Sequence, residues 1–250
     1  MTMESAGSWP KVPGGAMVVG VTAFGLYAET HDFNASMEVL DALPDILYSN
    51  STPPRTIHLV KYPHIRVTYD EVTKAVRDIW NASSASWAET IAATGVEFGE
   101  KDCLKVNFVL HLGQMRSYPG YSLEKLGNRD GYVRRDLDGK IPQTIATSSE
   151  TPTELQFASC PPILYPDFDV EDLAMRLKSA MPNTLIRAST AAGRFSCEYM
   201  FYSSLAELWK RGLEKKVMFL HVPARNSNED INTGVEVVKN LVLEISDTPI

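Results

Sequence analysis

Apolar and polar positions along this chain follow two periods, and the changes between them mark out strands and helices. Short apolar runs typical of buried strands occur at 16–24, 56–60, 101–113, 183–188 and 216–222. Apolar residues at helical spacing predict helices at 34–43, 67–80, 85–93, 169–181, 196–211 and 231–245. Because strands alternate with helices, the pattern predicts an α/β fold of three layers: a twisted, mostly parallel sheet with helices on both faces.

Two stretches interrupt this alternation. Residues 1–15 are polar and contain Gly, Ser and Pro, which predicts a flexible N-terminal arm before a single domain over 16–250. From 114 to 165 the chain is polar and rich in Gly, Pro, Arg and Asp, and only 123–126 suggests a turn of helix. A connection of that length predicts a functional lid or an added substructure.

The composition excludes several classes of protein. The formal net charge is -7, and no cluster of Lys and Arg offers the surface that a nucleic acid needs. No apolar run is as long as a membrane span, and the N-terminus lacks the basic and then apolar order of a signal peptide. Cys103, Cys160 and Cys197 form no metal-ligand spacing and are too few to pair completely in disulfides. We therefore predict a cytoplasmic protein with no metal, nucleic-acid or membrane partner, in which Cys103 and Cys160 are structural.

Cys197 is the first candidate for chemistry. It follows a predicted strand and a turn of small residues, and it lies in the first turn of the helix that begins at Ser196. The N-terminus of a helix favours an anion, and so it favours the nucleophilic thiolate form of a cysteine. The alternative is a small buried thiol that only packs beneath the helix.

Other candidates come from strand ends, because ligands of a parallel sheet collect beyond the carboxyl ends of its strands. A cysteine nucleophile needs a base and a polar group that orients this base. His221 ends a predicted strand before a proline, whereas His111 lies within a strand and is typical of a core histidine. Glu124 is one candidate for the orienting group, and a solvent-exposed helix charge is the alternative. The predicted strands bring four residues to one edge: Phe24, Gln114, Cys197 and His221.

Four short motifs occur in a fixed order along the chain. They are TAFGLYA at 22–28 with Asn34-Ala35-Ser36, Gly113-Gln114 followed by Leu123-Glu124-Lys125, STAAGRFSC at 189–197, and His221-Val222-Pro223. In this order they resemble the motifs of the pyroglutamyl peptidase I family, the pyrrolidone-carboxylate cysteine peptidases. The resemblance covers about residues 17–245.

The resemblance implies a cysteine omega-peptidase that removes an N-terminal pyroglutamyl residue from small peptides. The reaction would be acyl transfer through a thioester, without a metal or an organic cofactor. The implied nucleophile is Cys197, His221 is the implied general base and then acid, and Glu124 is implied to orient the imidazole. Members of the family often form dimers or tetramers, so a homo-oligomer is one expected state.

The resemblance also implies how the substrate is held. A small, uncharged lactam ring needs an apolar slot with a few hydrogen bonds. The oxyanion needs N–H donors, and Arg134 or Arg135 is the implied side chain, with a gap in the match leaving both open. The residues implied to contact the ring are Phe24, Tyr27, Gln114, Phe195 and Ser196.

Several positions differ from the family motifs. Tyr27 and Ala28 replace a Phe and a Gly, residues 116–119 replace a small Gly-rich run, and Glu198 replaces the Asn after the nucleophile. A carboxylate beside Cys197 is expected to disfavour the thiolate. These differences leave a second hypothesis: a binding or regulatory module with this fold and lost or altered activity. A third is an unrelated α/β enzyme such as a nucleoside-processing one, although the sequence has no phosphate-binding G-x-x-x-x-G-K-[ST] loop.

Overall fold

The computed structural model describes residues 15–27, 32–81, 85–97, 106–142 and 157–247. Apart from Gly15, the predicted N-terminal arm lies outside these ranges, and so does Cys103. The strands of the described residues are β1 (Met17–Ala23), β2 (Ile46–Tyr48), β3 (Thr56–Lys61), β4 (Phe108–Met115), β5 (Tyr121–Glu124), β6 (Gly127–Asn128), β7 (Ile163–Leu164), β8 (Ile186–Ser189) and β9 (Val217–Pro223). The helices are α1 (Ala35–Ala42), α2 (Tyr69–Asn81), α3 (Ala85–Ala92), α4 (Val170–Ala180), α5 (Ser196–Lys210) and α6 (Asn228–Asp247).

A seven-stranded sheet forms the middle layer, in the order β2-β3-β1-β4-β9-β5-β8. β1 pairs in parallel with β3 and β4, and β4 pairs in parallel with β9. The whole of β1 and β9 is buried, as expected for parallel strands covered on both faces. The predicted α/β class with a mostly parallel sheet is therefore confirmed.

Two apolar clusters cover the two faces of the sheet. One contains Val72 of α2 and Leu205 of α5, and the other contains Leu40 of α1, Leu177 of α4 and Leu241 of α6. Each of these side chains is at most 1% exposed, and burying such a side chain stabilises the fold by about 1.5–3 kcal/mol. The helices of the first cluster lie on the face where Cys197 is found.

The interpretation of 123–126 as a turn of helix is wrong. Its first two residues end β5, which lies between β9 and β8 in the sheet, and 125–126 are not helical either. The Tyr-Ser-Leu-Glu order of β5 alternates apolar and polar residues, as a strand does, but both of its faces are buried. Ser122 and Glu124 are polar although they are buried, and so the stretch resembles a polar loop in sequence.

The direction of the strand before Cys197 also differs from the prediction. β5 pairs antiparallel with β9 and parallel with β8, so β8 runs opposite to β9. β8 therefore runs away from the edge of the sheet that holds the carboxyl ends of β1, β4 and β9. The segment 190–195 returns along the sheet and starts α5 close to those carboxyl ends.

Smaller differences concern the limits of elements. β4 continues through Gln114 and Met115 instead of ending at residue 113, and the first five residues of the predicted strand lie outside the described ranges. The short edge strand β2 was not predicted. The connection at 114–165 contains β5, β6 and β7, so it holds added strands. A lid remains a prediction, because 143–156 lies outside the described residues.

Candidate active site

Three polar side chains from three elements lie in a row. His221 of β9 shares a hydrogen bond of 2.8 Å between its Nδ1 and Oε1 of Glu124 in β5. The thiol of Cys197 in α5 lies close to the ring and raises its pKa. Glu124 and His221 are 0% and 2% exposed, so water does not compete for their hydrogen bond. The structure thus brings together the three residues that the sequence suggested for nucleophile, base and orienting group.

The partners of His221 change the protonation of its ring. Burial lowers the pKa of His221, but the hydrogen bonds and charges of Cys197 and Glu124 raise it overall to about 9. An imidazolium at neutral pH stabilises a thiolate beside it. The row therefore places a ring that favours its protonated form next to the thiol of Cys197, with Glu124 on the far side of the ring.

Gly113 makes room for the thiol. It pairs with His221 across β4 and β9. A Cβ at this position would lie 3.0 Å from Sγ of Cys197 and 2.8 Å from the ring of Phe219. A side chain there would push the thiol away from the sheet, so glycine is needed for the observed contact.

The first turn of α5 offers backbone donors next to the thiol. Phe195 is the N-cap residue, and its side chain makes no capping hydrogen bond. The first N–H groups of a helix have no partner within the helix. They can therefore donate to an oxygen atom held close to Cys197.

The row opens into a cavity of about 610 Å³. The ring of Phe195 packs edge-on against Tyr27, with 5.9 Å between the ring centroids. All five residues predicted to contact a substrate line this cavity together with the thiol and the imidazole: Phe24, Tyr27, Gln114, Phe195 and Ser196. An apolar wall thus lies beside the nucleophile.

The amide of Gln114 has a fixed orientation in this cavity. Its Oε1 accepts a hydrogen bond of 2.7 Å from the backbone N–H of Ala35, at the start of α1. Asn34 caps this helix by accepting from the N–H of Ser36, and its Nδ2 donates to the carbonyl oxygen of Gly25. Because the amide oxygen of Gln114 is used in this way, its Nε2 is the group that can donate to a ligand.

Arg134 and Arg135 differ in where they lie. Arg134 lines the cavity, donates to the hydroxyl of Tyr27 at 2.9 Å and places its guanidinium carbon 4.2 Å from the centre of the Phe195 ring. Arg135 instead donates to the carbonyl oxygen of Gly139, outside the cavity lining. Of the two arginines left open by the sequence, Arg134 is the one with access to the cavity.

The expected effect of Glu198 on Cys197 needs correction. Oε1 of Glu198 accepts hydrogen bonds from the backbone and side chain of Asn128, at 3.2 and 2.5 Å, and lies 3.4 Å from Nη1 of Arg194. Burial raises the pKa of Glu198, whereas Asn128 and Arg194 oppose this rise. Neighbouring helical residues point in different directions, and Glu198 is not part of the described cavity lining. Its carboxylate therefore ties the start of α5 to β6 and does not face the thiol.

His111 is a core residue, as its place within a strand suggested. Its Nδ1 and Nε2 share hydrogen bonds of 2.8 Å with the hydroxyls of Thr22 and Ser204. Burial lowers the pKa of His111 to about 3, which keeps the ring neutral. Cys160 is also buried, and burial raises the pKa of its thiol.

The described parts of the chain contain neither a metal-binding cluster nor a membrane-spanning helix. No group of three or more His, Cys, Asp or Glu side chains there is arranged to hold a metal ion. No described helix has both the length and the apolar character that are needed to cross a membrane.

Comparison with known proteins found similarity in structure alone. No protein-family model matches the chain, and no curated protein does. Pyrrolidone carboxyl peptidase from Thermococcus litoralis is 15% identical with a TM-score of 0.64, over 92% of this chain and 93% of that one. The enzyme of that name from the thermophilic, keratin-degrading Fervidobacterium islandicum AW-1 is 17% identical with a TM-score of 0.64, over 92% and 99%. Pyroglutamyl peptidase I from Bacillus amyloliquefaciens is 12% identical with a TM-score of 0.66, over 93% and 98%. At this identity the similarity establishes the fold, which is the fold that the motifs implied.

Proposed function

We propose that the protein is a cysteine omega-peptidase of the pyroglutamyl peptidase I family, which removes an N-terminal pyroglutamyl residue from small peptides. The observation that carries this proposal is the row from Cys197 through His221 to Glu124, which opens into a cavity with an apolar wall. The names of the structurally similar proteins support the substrate class.

In the first half of the reaction Cys197 is the nucleophile. Its proton is held on His221, and Sγ attacks the carbonyl carbon of the pyroglutamyl group to form a carbon–sulfur bond. When the carbon–nitrogen bond to the next residue breaks, His221 gives its proton to the leaving amine. The products of this half are a thioester and a shortened peptide.

In the second half water replaces the peptide. The neutral His221 takes a proton from a water molecule, whose oxygen attacks the thioester carbonyl. The carbon–sulfur bond breaks, pyroglutamate leaves, and the ion pair of Cys197 and His221 is restored. Glu124 holds the imidazole in one orientation and stabilises its positive charge.

Both halves develop a negative oxygen that needs donors. The backbone N–H of Cys197 is the first donor, because it lies in the first turn of α5. Arg134 is the proposed side-chain donor, since it lines the cavity and is held in place by Tyr27 and Phe195. Donors fixed before the reaction are worth more than donors that must reorient.

The apolar wall suits the lactam ring. Phe24 and Phe195 contact an uncharged, flat ring without requiring a counter-charge. Nε2 of Gln114 is free to donate to the lactam carbonyl oxygen, since Oε1 is held by Ala35. Tyr27 closes the slot between the ring of Phe195 and the guanidinium of Arg134.

The test is hydrolysis of a fluorogenic pyroglutamyl amide by the purified protein. We expect release of the fluorophore, loss of activity after iodoacetamide and loss of activity in Cys197→Ala. Cys160→Ala is the matched control, because it removes a buried thiol outside the cavity, and it should remain active.

The other outcomes identify the alternatives. Wild-type activity no higher than that of Cys197→Ala would favour a binding or regulatory module with the same fold. Cleavage of other N-acyl amides without cleavage of the pyroglutamyl amide would keep the cysteine chemistry and reject the substrate.

A further inference from the structure

The cavity carries positive charge although the whole chain is acidic. Its described lining contains Arg116, Arg134 and Arg194 and no Asp or Glu, whereas the chain has a formal net charge of -7. A cleft with charge of one sign concentrates ligands of the opposite sign. The proposed pyroglutamyl ring is uncharged, so this charge has no partner on the ring itself.

The three arginines differ in what they already bind. Arg194 contacts Glu198 and the carbonyl oxygen of Asp130, and Arg134 donates to Tyr27. Arg116 makes no hydrogen bond or ion pair with any residue that the structure describes. Its guanidinium is therefore the one in the described lining that is ready for a ligand.

The position of Arg116 places it on the open side of the cavity. It follows Met115 at the end of β4, two residues beyond Gln114, and its side chain is exposed. Gln114 and the aromatic wall lie on the side proposed for the lactam ring. The remaining peptide must extend from the ring toward solvent, so it passes the exposed side of the cavity.

We propose that Arg116 binds a carboxylate on the residue that follows the pyroglutamyl group, so that the protein prefers pyroglutamyl peptides that are acidic at this position. The proposal rests on the peptidase function proposed above. An arginine fits a carboxylate because its planar group can donate two parallel hydrogen bonds. The carboxylate has two possible sources: an acidic side chain or the free C-terminus of a dipeptide.

Four peptides separate these sources. The glutamate amide and the glutamine amide of pyroglutamate differ only in a side-chain charge, and the free acid and the amide of pyroglutamyl-alanine differ only in a terminal charge. We expect kcat/KM to be about three- to fivefold higher for the acidic member of at least one pair, since an exposed ion pair has a modest effect. The preference should decrease as salt screens the charges.

Variants connect the preference to Arg116. Arg116→Gln should bring the ratio within each pair close to one, and Arg116→Lys should keep part of the preference, because it keeps the charge and loses the fork. Lys239→Gln is the control. It removes the same charge from a partly exposed position on α6 outside the cavity, and it should keep the wild-type ratio.

The outcomes separate this inference from the proposed function. Equal kcat/KM within both pairs of peptides would overturn the inference and leave the peptidase intact. A preference that survives in Arg116→Gln would overturn the role of this residue. If none of the four peptides is cleaved, the proposed function fails, and the inference fails with it.

Discussion

Two buried histidines on neighbouring strands have opposite protonation. His111 on β4 is 0% exposed and His221 on β9 is 2% exposed. The ring of His111 is hydrogen-bonded at both nitrogens, whereas that of His221 is hydrogen-bonded to Glu124 at Nδ1 and lies beside the thiol of Cys197. The pKa of His111 is lowered to about 3 by burial, whereas hydrogen bonds and charges raise that of His221 to about 9 despite burial.

The difference lies in the partners. His111 contacts two hydroxyls, Thr22 and Ser204, which do not compensate a positive ring. His221 contacts Glu124 and Cys197, which do. The groups on either side of the ring, and not burial alone, therefore decide whether a histidine in this sheet favours its protonated form.

Replacing each histidine by asparagine tests this difference, and activity should fall most when His221 is replaced. His221→Asn should lower kcat/KM for a pyroglutamyl amide by at least about 10⁴-fold, because it removes the base and the acid of both half-reactions. His111→Asn should lower the free energy of unfolding by about 1–3 kcal/mol, since a buried hydroxyl loses its partner. Steady-state kinetics and chemical denaturation measure the two effects.

Each variant serves as the control for the other. His111→Asn should keep kcat/KM per folded molecule within about threefold of the wild type, because it lies outside the cavity. A loss of activity in His111→Asn equal to that in His221→Asn would mean that the two histidines are not functionally distinct.

Sequence position distinguished these two histidines, but it could not predict why their pKa values differ. His221, at a strand end before Pro223, lines the cavity, and His111, inside an apolar run, is a core residue, as their positions suggested; the role of His221 as a base stays a prediction. The side chain that charges His221 was harder to find, because Glu124 lies in a strand whose two faces are both buried. Its position after Gln114 made it one candidate among many acids, and the family resemblance singled it out.

The pairing of strands that are distant in sequence is the second feature that the sequence could not predict. The apolar pattern predicted β8 and α5, but a local pattern does not report which neighbour a strand pairs with. The reversed direction of β8 follows from its pairing with β5, a strand that was not predicted. Likewise, Glu198 follows Cys197 in sequence, but Asn128 and Arg194 hold it away from the cavity, and Asn128 is 70 residues distant along the chain.

Replacing Glu124 tests the cause of the raised pKa of His221. Glu124→Gln should lower kcat/KM by about 10²- to 10⁴-fold, because an amide no longer stabilises the positive ring.

With His221 titrating at about 9, wild-type activity should fall as the pH rises through that value and the ring loses its proton. In Glu124→Gln burial is less opposed, so the pKa of His221 falls and this alkaline decline should move to lower pH by about one unit or more. A pH profile of kcat/KM tests this shift, and an alkaline decline at the same pH in both proteins would contradict it.

Replacing Gly113 tests the geometry between the two histidines, and we expect it to have a smaller effect than the replacement of His221 or Glu124. Gly113 lies two residues after His111 on β4 and pairs with His221, and a Cβ there would come within 3.0 Å of Sγ of Cys197. Gly113→Ala should lower kcat by about 10²-fold, because a thiol displaced by about 1 Å no longer meets the imidazole and the substrate correctly.

Gly20→Ala is a matched control on β1, where a Cβ would meet Trp87 and Val109 at 3.3 Å, away from the thiol. If both variants lose stability but only Gly113→Ala loses kcat and the rate of alkylation by iodoacetamide, the close approach of Cys197 to the sheet is what activates it. Equal alkylation rates in Gly113→Ala and the wild type would show that this approach is not required for a reactive thiolate.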